Sequence, residues 1–234
     1  PGSVTDEGRA TLGPAWGVVA NAGIAAGGPL SMSDPVAYDR VITVNLLGSD
    51  RTVRAFLPQI LETKGYVLQV ASLAALLPTP FMSAYCASKS GAEAFALSLR
   101  GELKAHGVKV GVAYLTWTDT DMVRGADAKE GLSDMRSRLP GVLGKTYPLT
   151  PSIARIVDGI VARKPRVYAQ SWVRGLTWFR AVTPSLTAHT PNRDVRRVED
   201  AIKAAPEDPT RLVGAGGAAD NAAYTPTALN PPST

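Results

Sequence analysis

The sequence holds one cysteine, Cys86, and two histidines, His106 and His189, in 234 residues. A lone thiol cannot close an internal disulfide, and three potential ligands so far apart in sequence give no zinc cluster, so no metal site is expected. No apolar run approaches the roughly 20 residues that cross a bilayer, so stable membrane insertion is not expected. Lys and Arg number 25 against 20 Asp and Glu, yet no compact basic block exists, which argues against nucleic acid as a partner. One cysteine and no signal-peptide pattern agree with a cytoplasmic location. The chain opens on Pro1 and not on Met, the mark of a processed, trimmed or excised product. What is there is 45% hydrophobic and 19% charged, enough for one globular domain over residues 1–205. From Pro206 on, Pro, Gly, Ala, Asn and Thr dominate, and 206–234 is expected to be a disordered tail.

Four apolar runs read as buried strands: Trp16–Ala20, Tyr66–Ala71, Val108–Leu115 and Arg166–Ala169. Helical signals alternate with them. Ser33-Asp34-Pro35 is a helix start, and its helix runs through Val41 and Asn45 toward Leu57, with Pro58 at a kink or break. Another helix opens near Ser83 and reaches about His106, where Gly107 is the stop. Thr150-Pro151 starts a third, Thr as cap and Pro in first position, with Ile153, Ile156, Val157, Ile160 and Val161 as its apolar face. Residues 1–13 are polar and Gly-rich and predict no strong helix. Over 171–186 aromatic and Arg residues interleave. Gly175 weakens a membrane-surface helix there, and a subunit interface or a helix covering a pocket is expected.

The chemistry concentrates between Tyr66 and Lys89. Ser72 closes a strand at its carboxyl end, where open α/β sheets place their ligands. A loop with Pro78 and Pro80 follows. Tyr85 and Lys89 lie one helical turn apart and share a face. A cation beside a phenol favours the phenolate, lowering its pKa from about 10, and a tyrosine so tuned is an acid or base near neutral pH. Alone, Tyr-x-x-x-Lys is also an ordinary solvated pair. A strand-terminal Ser upstream and an Ala-rich helix (Ala87, Ala92, Ala94, Ala96) narrow it. Cys86 within that turn reads as a small packing residue, and His106 as a surface residue at a helix end. Asn45 sits mid-helix among apolar neighbours, so its amide needs partners. Asn21-Ala22-Gly23 directly follows the first strand. There Gly permits close backbone approach and Asn bonds nearby backbone, although an ordinary turn looks the same. Thr120 by itself reads as a helix cap.

In these residues the chain resembles the short-chain dehydrogenase/reductase family. The resemblance implies a Rossmann-like, doubly wound parallel sheet, with Tyr85 as catalytic acid/base and Ser72 bonding the substrate carbonyl or hydroxyl. Lys89 would bind the nicotinamide ribose and depress the Tyr85 pKa, and Asn45 would hold a water in a proton relay leading to Lys89. Asn21, Ala22 and Gly23 would brace the sheet beside the cofactor, and Thr120 would contact the nicotinamide amide or the phosphates. The family's usual Pro-Gly ahead of that Thr is here Leu115-Thr116. Residues 123–148 fall where the family has a variable, mobile substrate loop, in which Met122, Val123, Leu132, Met135 and Leu139 either line a pocket or merely pack. The implied cofactor is NAD or NADP, the partner a small-molecule alcohol or carbonyl substrate, and the assembly a homodimer or homotetramer.

One part of the family pattern has no counterpart. The turn Thr-Gly-x-x-x-Gly-x-Gly, which sets the pyrophosphate on a helix N-terminus, is not found ahead of Asn21. Gly214 to Ala219 fits G-x-G-x-x-A. However, only Leu212 and Val213 precede it as a strand, Pro209 is just upstream, and too little chain follows for a βαβ unit of some 30 residues. The family's first three strands are therefore expected to be missing, which leaves the Trp16–Ala20 strand with an unpaired edge. The expected function is an oxidoreductase interconverting a small alcohol and carbonyl by hydride transfer. The rival is an inactive, truncated remnant acting through its interface helices, 34–57 and 83–106. An epimerase or dehydratase sharing Tyr-x-x-x-Lys is disfavoured, because that class usually carries a larger substrate domain.

Overall fold

The computed structural model describes residues 4–128, 130–137, 139, 141–188, 192–204, 212–214 and 217. Helix α1, Val4–Leu12, opens the chain, a correction to the expectation that residues 1–13 hold no strong helix. None of its residues is buried, so packing of an apolar face does not explain it. Polar ties do: Arg9 pairs with Glu62 at 2.7 Å, and the Gln59 amide donates to the Thr5 carbonyl at 3.0 Å. Composition of the segment alone cannot show partners that lie some fifty positions downstream.

Strand β1, Gly17–Ala20, comes next. Asp34 caps helix α2, Pro35–Ile42, by accepting from the Val36 amide. A π-helical turn, Thr43–Leu47, leads without a break into α3, Gly48–Glu62. Pro58 lies inside α3 and does not end it. Then follow β2, Tyr66–Val70; a 3-10 turn, Leu73–Ala75; and α4, Ser83–Leu103. Gly107 closes the α4 end at φ 74°, as expected for a left-handed stop. Strand β3 is Lys109–Tyr114. Residues 123–148 are largely helical, with α5, Asp121–Asp127, α6, Glu130–Ser137, and a 3-10 turn at Gly141–Leu143. Helix α7, Leu149–Val161, starts one residue before Thr150, with Pro148 in the cap position, so the expected Thr150 cap is not formed. Strand β4 is Arg166–Tyr168. Two short helices, α8, Val173–Leu176, and α9, Thr183–Ala188, replace a single helix over 171–186. Helix α10, Asn192–Ala204, packs against α6. Beyond it, Val213 bridges antiparallel to Ala25; apart from 212–214 and Gly217, the expected tail lies outside the described residues.

The strands are parallel in the order β1-β2-β3-β4, with Gly17 opposite Tyr66, Tyr66 opposite Lys109, and Val112 opposite Arg166. Side chains alternate between two faces, as strand geometry requires. Val18, Val67, Val110 and Val112 pack with Val53, Ile60, Ala96 and Leu99 under α3 and α4. Tyr66, Leu68, Ala113 and Val167 pack with Ile156 under α7. Fully burying one such side chain contributes about 1.5–3 kcal/mol. Helices on both faces make this the Rossmann-like α/β arrangement, with four parallel strands consistent with an incomplete sheet. β1 is an edge among the described residues. Its Val19 pairs in register with Leu68, which is fully buried, yet Val19 itself is 42% exposed, because no helix covers that end of the α7 face. Among the described residues no helix is long and apolar enough to cross a membrane.

Of the apolar face predicted for α7, Ile156 and Ile160 pack on the sheet, while Ile153, Val157 and Val161 stay exposed. β3 and β2 approach so closely at Gly111 that a Cβ there would overlap the Tyr66 hydroxyl and stand 2.5 Å from the Lys164 carbonyl oxygen. That hydroxyl donates to the same carbonyl at 2.7 Å. Gly111→Ala is expected to destabilise the fold by about 1–3 kcal/mol through overpacking, read as a lowered urea midpoint.

Candidate functional site

A cavity of about 500 Å³ opens at the carboxyl ends of β1, β2 and β3. Asn21, Ala22, Gly23, Ser72, Tyr85, Lys89 and Thr120 all line it. Asn45 does not reach it and stands behind, fully buried. These eight residues are the ones singled out from the sequence, and seven of them meet at one cavity.

Each is placed by its own element. Ser72 caps the 3-10 turn after β2 in extended backbone, and its Oγ accepts from the Ala74 amide at 3.2 Å. The first two turns of α4 present Tyr85 and Lys89, and Tyr85 and Ser72 both line the cavity. The Lys89 ammonium is buried and donates to the Val70 carbonyl at 3.1 Å, 5.8 Å from the Tyr85 ring centre. Thr120 caps α5 through the Val123 amide, so the cap reading of this residue stands beside any ligand role. Cys86 packs against Thr79 in the Pro-bearing loop, with its thiol pushed up by burial, as a packing residue would be.

Asn45 sits in the π-helical turn, where one extra residue aims its amide at the turn after β1. Its Oδ1 accepts from the Ile24 amide at 2.8 Å, and its Nδ2 donates to the Ile24 carbonyl and to Ser88 Oγ, both at 2.9 Å. Ser88 in turn donates to the Tyr85 carbonyl at 2.8 Å. Gly23 fits between: a Cβ there would lie 3.3 Å from Asn45 Oδ1 and 3.4 Å from Lys89 Nζ.

Electrostatics corrects one expectation. In this chain burial pushes the Tyr85 phenol above its ordinary value, and the Ser72 side chain only partly opposes that. The anticipated depression by Lys89 is absent. The reason lies in Lys89 itself, whose burial, with no carboxylate beside it among the described residues, brings it down to about 8.

Several lining residues escaped the sequence reading. Thr116 holds a buried hydroxyl without a hydrogen-bond partner, while its amide donates to the Gln170 side chain at 3.0 Å. Val213 and Gly214 join the wall through the bridge to Ala25. No local signal marks such a long-range pairing. Met122, Val123 and Leu139 line the cavity; the side chains of Leu132 and Met135 lie outside the described residues. Among the described side chains none from 171–185 lines it. The segment is tied back by Arg180 to the buried Glu93 at 3.0 Å and by the Thr183 hydroxyl to the Leu76 carbonyl at 2.5 Å. Of residues 214–219, Ala215, Gly216, Ala218 and Ala219 lie outside the described residues.

The short chain dehydrogenase family model matches residues 3–131. The mitochondrial D-beta-hydroxybutyrate dehydrogenase of Mus musculus is 41% identical over 183 residues, 75% of this chain and 50% of that protein. The chain spans about half the length of the curated relatives it matches. A short chain dehydrogenase from Mycobacterium paratuberculosis bound to NAD superposes with TM-score 0.57 at 27% identity, over 70% of this chain and 65% of that one. A gluconate 5-dehydrogenase from Burkholderia cenocepacia J2315, in complex with NADP and tartrate, shares the fold at TM-score 0.63 and 18% identity, over 73% and 69%.

The residues present fit one end of such a dinucleotide. Gly23 leaves bare backbone at the cavity, the Thr116 hydroxyl is an unpaired donor in its wall, and Lys89 and Tyr85 offer further donors. Neither NAD nor NADP is favoured by these residues. Among the described residues no strand runs through a Gly-rich turn into a helix, so they offer no cradle for the pyrophosphate.

Between pH about 8 and the unfolded value near 10.5, the unfolded chain keeps a Lys89 proton that the folded chain has released. Stability therefore rises with pH across that window and carries the full burial penalty below it. Lys89→Met is expected to raise stability at pH 7 by roughly 2–4 kcal/mol in urea denaturation. That advantage should shrink as the pH rises toward 10.5.

Proposed function

Because the chain belongs to the short chain dehydrogenase family, we propose that it is an NAD(P)-dependent oxidoreductase interconverting an alcohol and a carbonyl compound. The observation that carries this reading is the convergence of Ser72, Tyr85 and Lys89 on one cavity at the carboxyl ends of the strands. When bound, the nicotinamide would supply or accept the hydride at the substrate carbon. The chain's own work concerns the oxygen. Ser72 fixes the substrate oxygen beside Tyr85, which gives it a proton in reduction and takes one in oxidation. Lys89 and Thr120 hold the nicotinamide ribose and amide, with Asn21, Ala22 and Gly23 forming the floor. Asn45 holds the floor and α4 in register, and a water at its carbonyl side would extend a proton path toward Lys89. A homodimer or homotetramer, a single domain over 1–205 with a tail over 206–234, and a cytoplasmic location complete the proposal.

A second reading, an inactive remnant that pairs through its helices, is favoured by one observation: the missing strand–Gly-rich turn–helix unit among the described residues. Titration with NADH and NADPH, followed by nicotinamide fluorescence, separates the two. Saturable binding of either supports the enzyme, and binding of neither supports the remnant.

Tyr85→Phe is expected to lower kcat by about 10²–10⁴-fold with unchanged circular dichroism, and full turnover by this variant would remove Tyr85 from its role. The raised phenol keeps its proton at neutral pH and serves as a donor. Carbonyl reduction should therefore be fastest at neutral pH and fall in alkali, while alcohol oxidation, which needs the phenolate, should rise with pH. Initial rates in both directions across pH check this.

A further inference from the structure

The cavity wall is mostly apolar. From the turn after Ser72 come Leu77 and Met82; from α5 and the turn beyond α6 come Met122, Leu139 and Leu143. Among the described lining residues only Lys89, beside Tyr85, and Asp121, an anion, carry charge. Lys89 stands one turn from Tyr85 and is already bonded to the Val70 carbonyl, at the place where the reacting oxygen docks. Asp121 is itself an anion and pairs with Arg124 at 2.7 Å.

Among the described residues, the two arginines nearest the wall, Arg124 and Arg136, are committed elsewhere. Arg124 also pairs with Asp119. Arg136 pairs with Asp127, donates to the Gly144 carbonyl and to Thr146, and lies with its guanidinium 4.9 Å from the Trp117 ring centre. Neither arginine lines the cavity. A carboxylate drawn inside would lose its hydration and meet apolar side chains, whereas an alkyl group would gain by the same contact.

We propose that the substrate is a neutral, lipophilic alcohol or carbonyl compound, without a carboxylate near the reacting carbon, whose apolar body lies against Met122, Leu139, Leu143 and Val213. This rests on the dehydrogenase reading only for which end of the ligand meets Ser72 and Tyr85.

The test uses decan-3-one and 3-oxodecanoate, which differ in one terminal methyl exchanged for a carboxylate. Isothermal titration of the full chain should find decan-3-one bound at least about 30-fold more tightly, given the cost of desolvating an unpaired carboxylate. Equal or tighter binding of 3-oxodecanoate, or no binding of either, overturns the proposal. Met122→Trp, which fills the apolar end, should weaken decan-3-one by about tenfold or more with circular dichroism unchanged. An unchanged affinity overturns the assignment of the wall. Oxidation of NADH and NADPH is followed separately. Tight decan-3-one binding without any hydride transfer leaves the substrate class standing and removes the dehydrogenase reading instead.

Discussion

A buried carboxamide must satisfy both its donor and its acceptor, and in this chain one amide does so by tying three elements together. Asn45 takes both backbone groups of Ile24 and reaches Ser88 on the next helix. An α-helix with regular spacing spends every backbone bond on itself. The π-helical turn at Thr43–Leu47 interrupts that pattern at the point where Asn45 projects. The clasp adds directed bonds to the apolar packing of Ile24 with Ala84 and Val41, and together they set the distance between the turn after β1 and the start of α4. Gly23 completes the arrangement, since any side chain there would press on Asn45 and Lys89 together.

The second constraint is a buried cation without a counter-charge. Lys89 gives up hydration for a single backbone carbonyl, and burial lowers its proton affinity to about 8. Tyr85 is shifted the opposite way for the same reason, because the charged form of each group is the one that burial penalises. An uncompensated pair of this kind is what an active site looks like before its ligand arrives, and such perturbed groups gather at functional sites. The site also displays a polar end and an apolar body, so recognition of the ligand oxygen and of the ligand's carbon frame is divided between different elements.

The sheet explains where the stability lies and where it stops. Parallel strands are ordinarily covered on both faces. β2 and β3 are, and they hold the largest fully buried side chains, among them Tyr66, Leu68 and Tyr114. β1 is covered on the α3 side only, so Val18 is buried and Val19 is not. The cavity opens at the carboxyl ends of β2 and β3 as well as of β1.

The sequence by itself determined the alternation of strands and helices, the Gly107 stop, and the placing of Ser72 at a strand end and of Tyr85 and Lys89 on one helix face, whereas Asn21 and Thr120 entered the site only through the family resemblance. Those features rest on local rules: apolar runs, caps, and a one-turn spacing along a helix. The tertiary structure alone decided the rest. Helix α1 forms because Gln59 and Glu62 hold it, and its own composition gives no hint of them. The direction of the Tyr85 shift depends on burial, which the helical spacing of Tyr85 and Lys89 does not show. Val213 and Thr116 enter the cavity wall through a bridge to Ala25 and a bond to Gln170, both contacts between segments remote in the chain. Local chemistry can name the reacting groups; which of them are desolvated, and what surrounds the ligand, follows only from packing at long range.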